Sequence, residues 1–92
     1  MQEPRAFCRA VMHEYERQWA SATGHGVRHP LRVKMEALKA LADVVGTPAE
    51  FEARLLEDAR SNDARQALLA GDLLPLWRIV AAGGQLPFPV RG

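Results

Sequence analysis

Apolar side chains at helical spacing, in stretches separated by glycine and proline, constrain the fold of this chain most strongly. Residues 5–23 contain neither glycine nor proline, and their large apolar side chains recur every three or four positions. These positions are Phe7, Cys8, Val11, Met12, Tyr15, Trp19 and Ala22. Residues at this spacing share one face of an α-helix. We therefore predict an amphipathic helix over residues 4–22.

Capping residues predict where the next two helices begin and end. Proline is favoured at the first helical position, so a second helix is expected to begin near Pro30 and to stop at Gly46. Thr47, Pro48 and Glu50 have the spacing of a capping box, which predicts the start of a third helix.

The last third of the chain contains two more residues that predict helix ends, Gly71 and Gly83. A short helix over residues 63–70 is expected to stop at Gly71, and Asp72 is expected to cap a fifth helix that ends at Gly83. Proline-rich residues 85–92 are expected to be extended.

The fold class follows from these helices and from the scarcity of strand formers, which comprise seven valines, one isoleucine and two threonines. We predict an all-α protein: a compact bundle of four or five short helices with an extended, proline-containing C-terminal tail. Residues 1–84 would form a single helical domain and residues 85–92 the tail. The expected core comprises Phe7, Val11, Tyr15, Trp19, Leu31, Met35, Leu38, Leu41, Val45, Phe51, Leu55, Leu76, Trp77 and Val80.

The stretch 68–82 is apolar on nearly all sides, which has two interpretations. The first is a central helix buried in the core. The second is a surface that contacts another protein, with Leu73, Trp77 and Phe88 as partner-binding residues, because tryptophan is enriched at interfaces. Phe88 lies in the tail, which would either fold back over the helices or dock on a partner as an extended peptide.

A basic cluster is the second candidate site. Residues 1–34 contain six basic and three acidic side chains, whereas residues 35–63 contain three basic and seven acidic ones. Arg28, His29, Arg32 and Lys34 form the cluster, and they are the candidate nucleic-acid-binding residues. An estimated isoelectric point near 8.0 is lower than that of most dedicated nucleic-acid binders.

Three other sites receive little support. Residues 41–46 resemble the first half of a helix-turn-helix, but Glu52 stands where an apolar residue is expected and the following helix is acidic. Cys8 with the three histidines lacks the spacing of a structural zinc site, so no metal and no cofactor are expected. Cys8 and His13 would lie about 140° apart around a helix, which does not suit a nucleophile and its base.

The function predicted by elimination is a small, non-enzymatic protein–protein interaction module: an adaptor, a regulator or an accessory subunit. Its partner would be another protein or a second copy, and the alternative is a small nucleic-acid-binding regulator that uses Arg28–Lys34. One cysteine, no apolar leader and no apolar span of about 20 residues favour a cytoplasmic protein with no membrane partner. Ten arginines against two lysines indicate a GC-rich, bacterial genome.

Overall fold

Four α-helices contain most of the chain in the computed structural model, which describes residues 3–44 and 46–90. They are α1 (Pro4–Ser21), α2 (His25–Ala42), α3 (Pro48–Ala59) and α4 (Ala64–Ala81). These described residues contain no β-strand, so the all-α prediction is confirmed. Val45, predicted in the core, lies outside the described residues, as do residues 91 and 92 of the predicted tail.

The prediction for α1 is within one residue of the observed helix, and the capping box of α3 is confirmed in detail. The backbone N–H of Glu50 donates to Thr47 Oγ1 at 3.2 Å, and the backbone N–H of Thr47 donates to Glu50 Oε1 at 2.9 Å. These bonds satisfy two amides that the helix itself leaves without acceptors. They also lower the pKa of the Glu50 carboxyl.

The predicted start of α2 near Pro30 is wrong, because the helix begins five residues earlier, at His25. Gly24 precedes it with a φ of +91°, a conformation that glycine adopts without steric cost. Pro30 consequently lies inside the helix. The helix also ends at Ala42, before Gly46.

The predicted break at Gly71 is also wrong, since α4 continues without interruption from Ala64 to Ala81. Asp72 therefore caps no fifth helix, and Pro75 lies inside α4. A proline in a helix clashes with the carbonyl four residues earlier. That residue is a glycine for both internal prolines, Gly26 before Pro30 and Gly71 before Pro75, and a backbone without Cβ tilts its carbonyl more easily.

Glycine ends α4, as the sequence predicts. Gly83 has a φ of +87°, and its N–H donates to the Val80 carbonyl at 3.0 Å. The N–H of Gly84 donates to the Ile79 carbonyl at 2.8 Å. This pair of bonds is a Schellman motif, which satisfies two of the last carbonyls of the helix.

The core is centred on three aromatic rings from three helices. Phe7 of α1, Phe51 of α3 and Trp77 of α4 contact one another edge to face, with ring centroids 4.8–5.8 Å apart. Aromatic pairs prefer this geometry because the positive edge of one ring meets the negative face of another. Trp19, Met35 and Leu76, predicted in the core, are only half-buried against it.

α1 and α2 form an antiparallel hairpin, while α4 packs against both α2 and α3. At one end of the hairpin, Arg28 of α2 bonds to backbone carbonyls at the end of α1. Beyond α4, Leu86 is buried and Phe88 packs against the core. No helix among the described residues combines the length and apolar character needed to cross a lipid bilayer.

Candidate functional site

Two of the three candidate partner-binding residues lie in the core. Leu73 is 0% exposed and Trp77 is 1% exposed, because both side chains lie on the face of α4 that packs into the core. Phe88 is half-buried against the core. In this fold neither Leu73 nor Trp77 exposes its side chain at the surface.

The basic cluster is divided between two faces of α2. Lys34 turns towards α4, where its Nζ donates to Asp72 Oδ2 at 2.8 Å and lies 5.3 Å from the centre of the Tyr15 ring. Its side chain is only 17% exposed. Lys34 thus joins helices together and is not grouped with Arg28, His29 and Arg32 on a binding face, contrary to the predicted cluster.

Arg28 holds the hairpin between α1 and α2. Its guanidinium donates to the Ala22 carbonyl at 3.1 Å and lies 4.8 Å from the centre of the Trp19 ring. The guanidinium of Arg32 lies 5.8 Å from the centre of that same ring. Because Arg28 satisfies a carbonyl beyond the last turn of α1, its charge already has a structural role. Two guanidinium groups near the Trp19 ring also hinder base stacking on it.

His25 and His29 share one face of α2, since the helix begins at His25 and the two residues are one turn apart. Their rings stack with centroids 5.3 Å apart. No group of three metal-ligating side chains forms among residues 3–44 and 46–90, so the pair has no further ligand there.

Cys8 is enclosed between α1 and α2 and is 2% exposed. Burial raises the pKa of its thiol to about 12, which keeps it neutral and a poor nucleophile. His13 lies on the exposed side of α1, where its Nδ1 is 3.2 Å from Glu16 Oε1. These surroundings do not make Cys8 and His13 a catalytic pair.

Asp72 is a polar junction between three helices that the sequence does not reveal. Its Oδ2 accepts hydrogen bonds from the Tyr15 hydroxyl at 2.9 Å and from Lys34 Nζ at 2.8 Å. Burial, and secondarily the negative charge of Asp72, raises the pKa of Tyr15 well above its ordinary value. The Tyr15 hydroxyl and Lys34 Nζ thus both have an acceptor inside the protein, so these hydrogen bonds have a structural role.

An open groove of about 710 Å³ runs between the first half of α1 and the last part of α2. Cys8 and Leu38 form its floor, and the half-buried Met12 and Ala42 provide its apolar walls. Its borders are charged: Arg5, Arg9 and Lys39 contribute cations and Asp43 one carboxylate. We refer to these eight residues as the α1/α2 groove.

The three cations of the groove are available to a partner. All three side chains are exposed, and within the described residues none has a carboxylate oxygen within 4.0 Å. By contrast, Arg17, Lys34 and Arg54 each contact a carboxylate. Sequence reasoning missed this groove, although Arg5 and Arg9 already share a helix face by their spacing; the missing information was which part of α2 packs beside them.

Comparisons with known proteins give no further indication, since no protein-family model, no curated protein and no solved structure matches this chain.

Proposed function

We propose that this protein is a small, non-enzymatic protein–protein interaction module that binds its partner in the α1/α2 groove. The observation that carries the proposal is an exposed groove with apolar walls, bordered by three cations that contact no carboxylate among the described residues. Interfaces combine apolar contact with charged borders that orient the partner and select it. The proposed contact surface is therefore the hairpin of α1 and α2, whereas the sequence suggested the helix that contains Trp77.

The shape of the groove favours a protein segment over a small ligand. Small-molecule sites are concave and enclose most of the ligand surface. Here the floor residues Cys8 and Leu38 are 2% and 0% exposed, which leaves a shallow channel between two helices. A shallow channel along a helix pair suits another helix, which packs its ridges into such grooves.

The nucleic-acid alternative has less support because two members of its basic cluster already have partners inside the protein. Lys34 contacts Asp72, and Arg28 binds the carbonyl of Ala22. Phosphate contacts are strongest at low ionic strength, so a salt titration with nonspecific duplex DNA tests this alternative. Tight binding at low salt that Arg32→Glu abolishes would favour it over the protein-binding proposal.

Site-specific photo-crosslinking in the native host tests the proposed function. A photoreactive amino acid at position 5 lies at the groove, and the same amino acid at position 78 is an exposed control on α4. We expect a discrete protein adduct from position 5 that position 78 does not give and that Arg9→Glu reduces. Equal adducts from both positions, or none from position 5, would reject the groove as the contact surface.

A further inference from the structure

The outer face of α3 has the chemistry that the α1/α2 groove requires. Phe51 and Leu55 lie on the face of α3 that is buried in the core. The opposite face of the helix is exposed to solvent and contains Ala49, Ala53 and Leu56. Leu56 is 37% exposed and provides the largest apolar side chain on this side of the helix. These small and apolar residues form a stripe, and the exposed Arg60 lines the same concave surface as Ala53 and Leu56.

Carboxylates border the stripe on both sides. At 100° per residue, Glu57 lies beside the stripe on one flank and Glu52 on the other. Glu57 is exposed and Glu52 is half-buried, and neither contacts a cation within 4.0 Å among the described residues. These two carboxylates complement the net positive charge of the groove, where Arg5 and Arg9 form one border and Lys39 and Asp43 lie on the other.

We propose that the α1/α2 groove of one copy receives the outer face of α3 of a second copy. This inference rests on the proposed function and names its partner. A second copy is the occupant for which the structure shows both halves of the contact, an acidic apolar helix face and a basic apolar groove. The α3 of the same chain does not fill its own groove, because its buried face packs on Phe7 and Trp77.

The two surfaces differ, so each contact joins the groove of one copy to the α3 face of another, and a single such contact leaves one groove and one α3 face open. Such contacts produce rings or growing chains, whereas a self-complementary patch stops at a dimer. Each unit added contributes the same contact. Association therefore increases as protein concentration rises, and it weakens with salt because its charges are exposed.

Sedimentation velocity over a concentration series at low and high ionic strength measures this assembly. Arg9→Glu reverses a groove charge, and Ala53→Tyr places a bulky side chain in the middle of the α3 stripe. Both positions are exposed, so both variants are expected to fold, which their circular-dichroism melting curves check. Like charges across an interface cost several kcal/mol, so we expect Arg9→Glu to weaken association by roughly tenfold or more.

Mixing the two variants is the sharpest part of the test. The Ala53→Tyr protein retains an intact groove, and the Arg9→Glu protein retains an intact α3 face. Together they form one intact contact, so the mixture gives a 1:1 heterodimer that does not grow further. Arg78→Glu, which reverses an exposed charge on α4 outside the groove, is expected to assemble like the wild type.

Two outcomes overturn the inference. One is a wild-type protein that sediments as a monomer at every concentration and low salt; the other is assembly that neither Arg9→Glu nor Ala53→Tyr weakens. A monomer that still gives the groove-specific adduct to a different protein overturns self-assembly and retains the interaction module. If the protein is a monomer and gives no such adduct, both the self-assembly and the proposed interaction module are rejected.

Discussion

Replacing Asp72 by alanine removes the one carboxylate that connects α1, α2 and α4 through the described side-chain hydrogen bonds. Asp72 lies near the middle of α4, accepts from the Tyr15 hydroxyl of α1 at 2.9 Å, and accepts from Lys34 of α2 at 2.8 Å. If Asp72 instead capped a separate fifth helix, its carboxylate would bond to the backbone of that helix. The effect of Asp72→Ala on the free energy of unfolding would then not depend on whether Tyr15 is present.

The two bonds differ in strength because their surroundings differ. Tyr15 is 4% exposed, so loss of its charged acceptor leaves a buried hydroxyl without a partner, which costs about 1–3 kcal/mol. The Lys34–Asp72 pair is partly solvated, with the Asp72 side chain 40% exposed, and contributes at most about 1 kcal/mol. We therefore expect Asp72→Ala to lower the free energy of unfolding by about 2–3 kcal/mol.

Urea denaturation followed by tryptophan fluorescence measures this change, because Trp77 is enclosed by the core. Tyr15→Phe removes the donor of the stronger bond, and the double variant Tyr15→Phe/Asp72→Ala completes a cycle. We expect a coupling free energy of about 1 kcal/mol or more between the two positions. Glu36→Ala, at an exposed position in α2, is the control and should change stability by less than about 0.5 kcal/mol. Additivity of the two substitutions within about 0.3 kcal/mol would refute the reasoning.

Three further predictions concern the ends, the interior and the acid sensitivity of the helices. Gly83→Ala forces a side chain into the left-handed conformation and should lower the free energy of unfolding by about 1–2 kcal/mol in thermal denaturation. Pro75→Ala restores an N–H donor for the carbonyl of Gly71 and should raise that free energy by about 1 kcal/mol in the same assay. A decrease for Pro75→Ala would show that α4 is not continuous there. The hydrogen bonds from Arg17 lower the pKa of Glu14 below its ordinary value of 4.5. The contribution of Glu14 to stability is therefore complete above that value and lost as the pH falls through the lowered pKa. Glu14→Gln should consequently flatten the acid side of the stability–pH curve, and an unchanged curve would contradict the role of this pair.

α1 and α3 could be predicted from the sequence because their signals are local. In α1 the period of the apolar residues and the position of Pro4 agree, and in α3 the partners of the capping box are three residues apart. Interactions within one turn of a helix depend on sequence spacing alone.

α2 and α4 were mispredicted because local rules for proline and glycine were outweighed by packing. Leu69, Leu73 and Trp77 form one buried stripe through Gly71, and burial of this stripe offsets the hydrogen bond lost at Pro75. The spacing of four residues from Leu69 to Leu73 and from Leu73 to Trp77 is the sequence signal that indicates one continuous helix. Much the same holds for α2, where the glycine four residues before Pro30 eases the clash.

The candidate site could not be predicted from the sequence, because the groove forms only where α1 and α2 pack side by side. The sequence places Arg5 and Arg9 on one face of α1, yet it does not show that Lys39 lies across from them. Equally, it does not show that Lys34 contacts Asp72, thirty-eight residues later in the chain.

The all-α class, the extent of α1, the start of α3 and the glycine end of α4 follow from local sequence alone, since each depends on groups within about one helical turn. Packing establishes that α4 is a single helix, that Trp77 belongs to the core, and that Arg5, Arg9 and Lys39 border a groove between α1 and α2. The physical reason is that burial and charge pairing depend on neighbours that are distant in sequence, and only the packed chain brings these neighbours together.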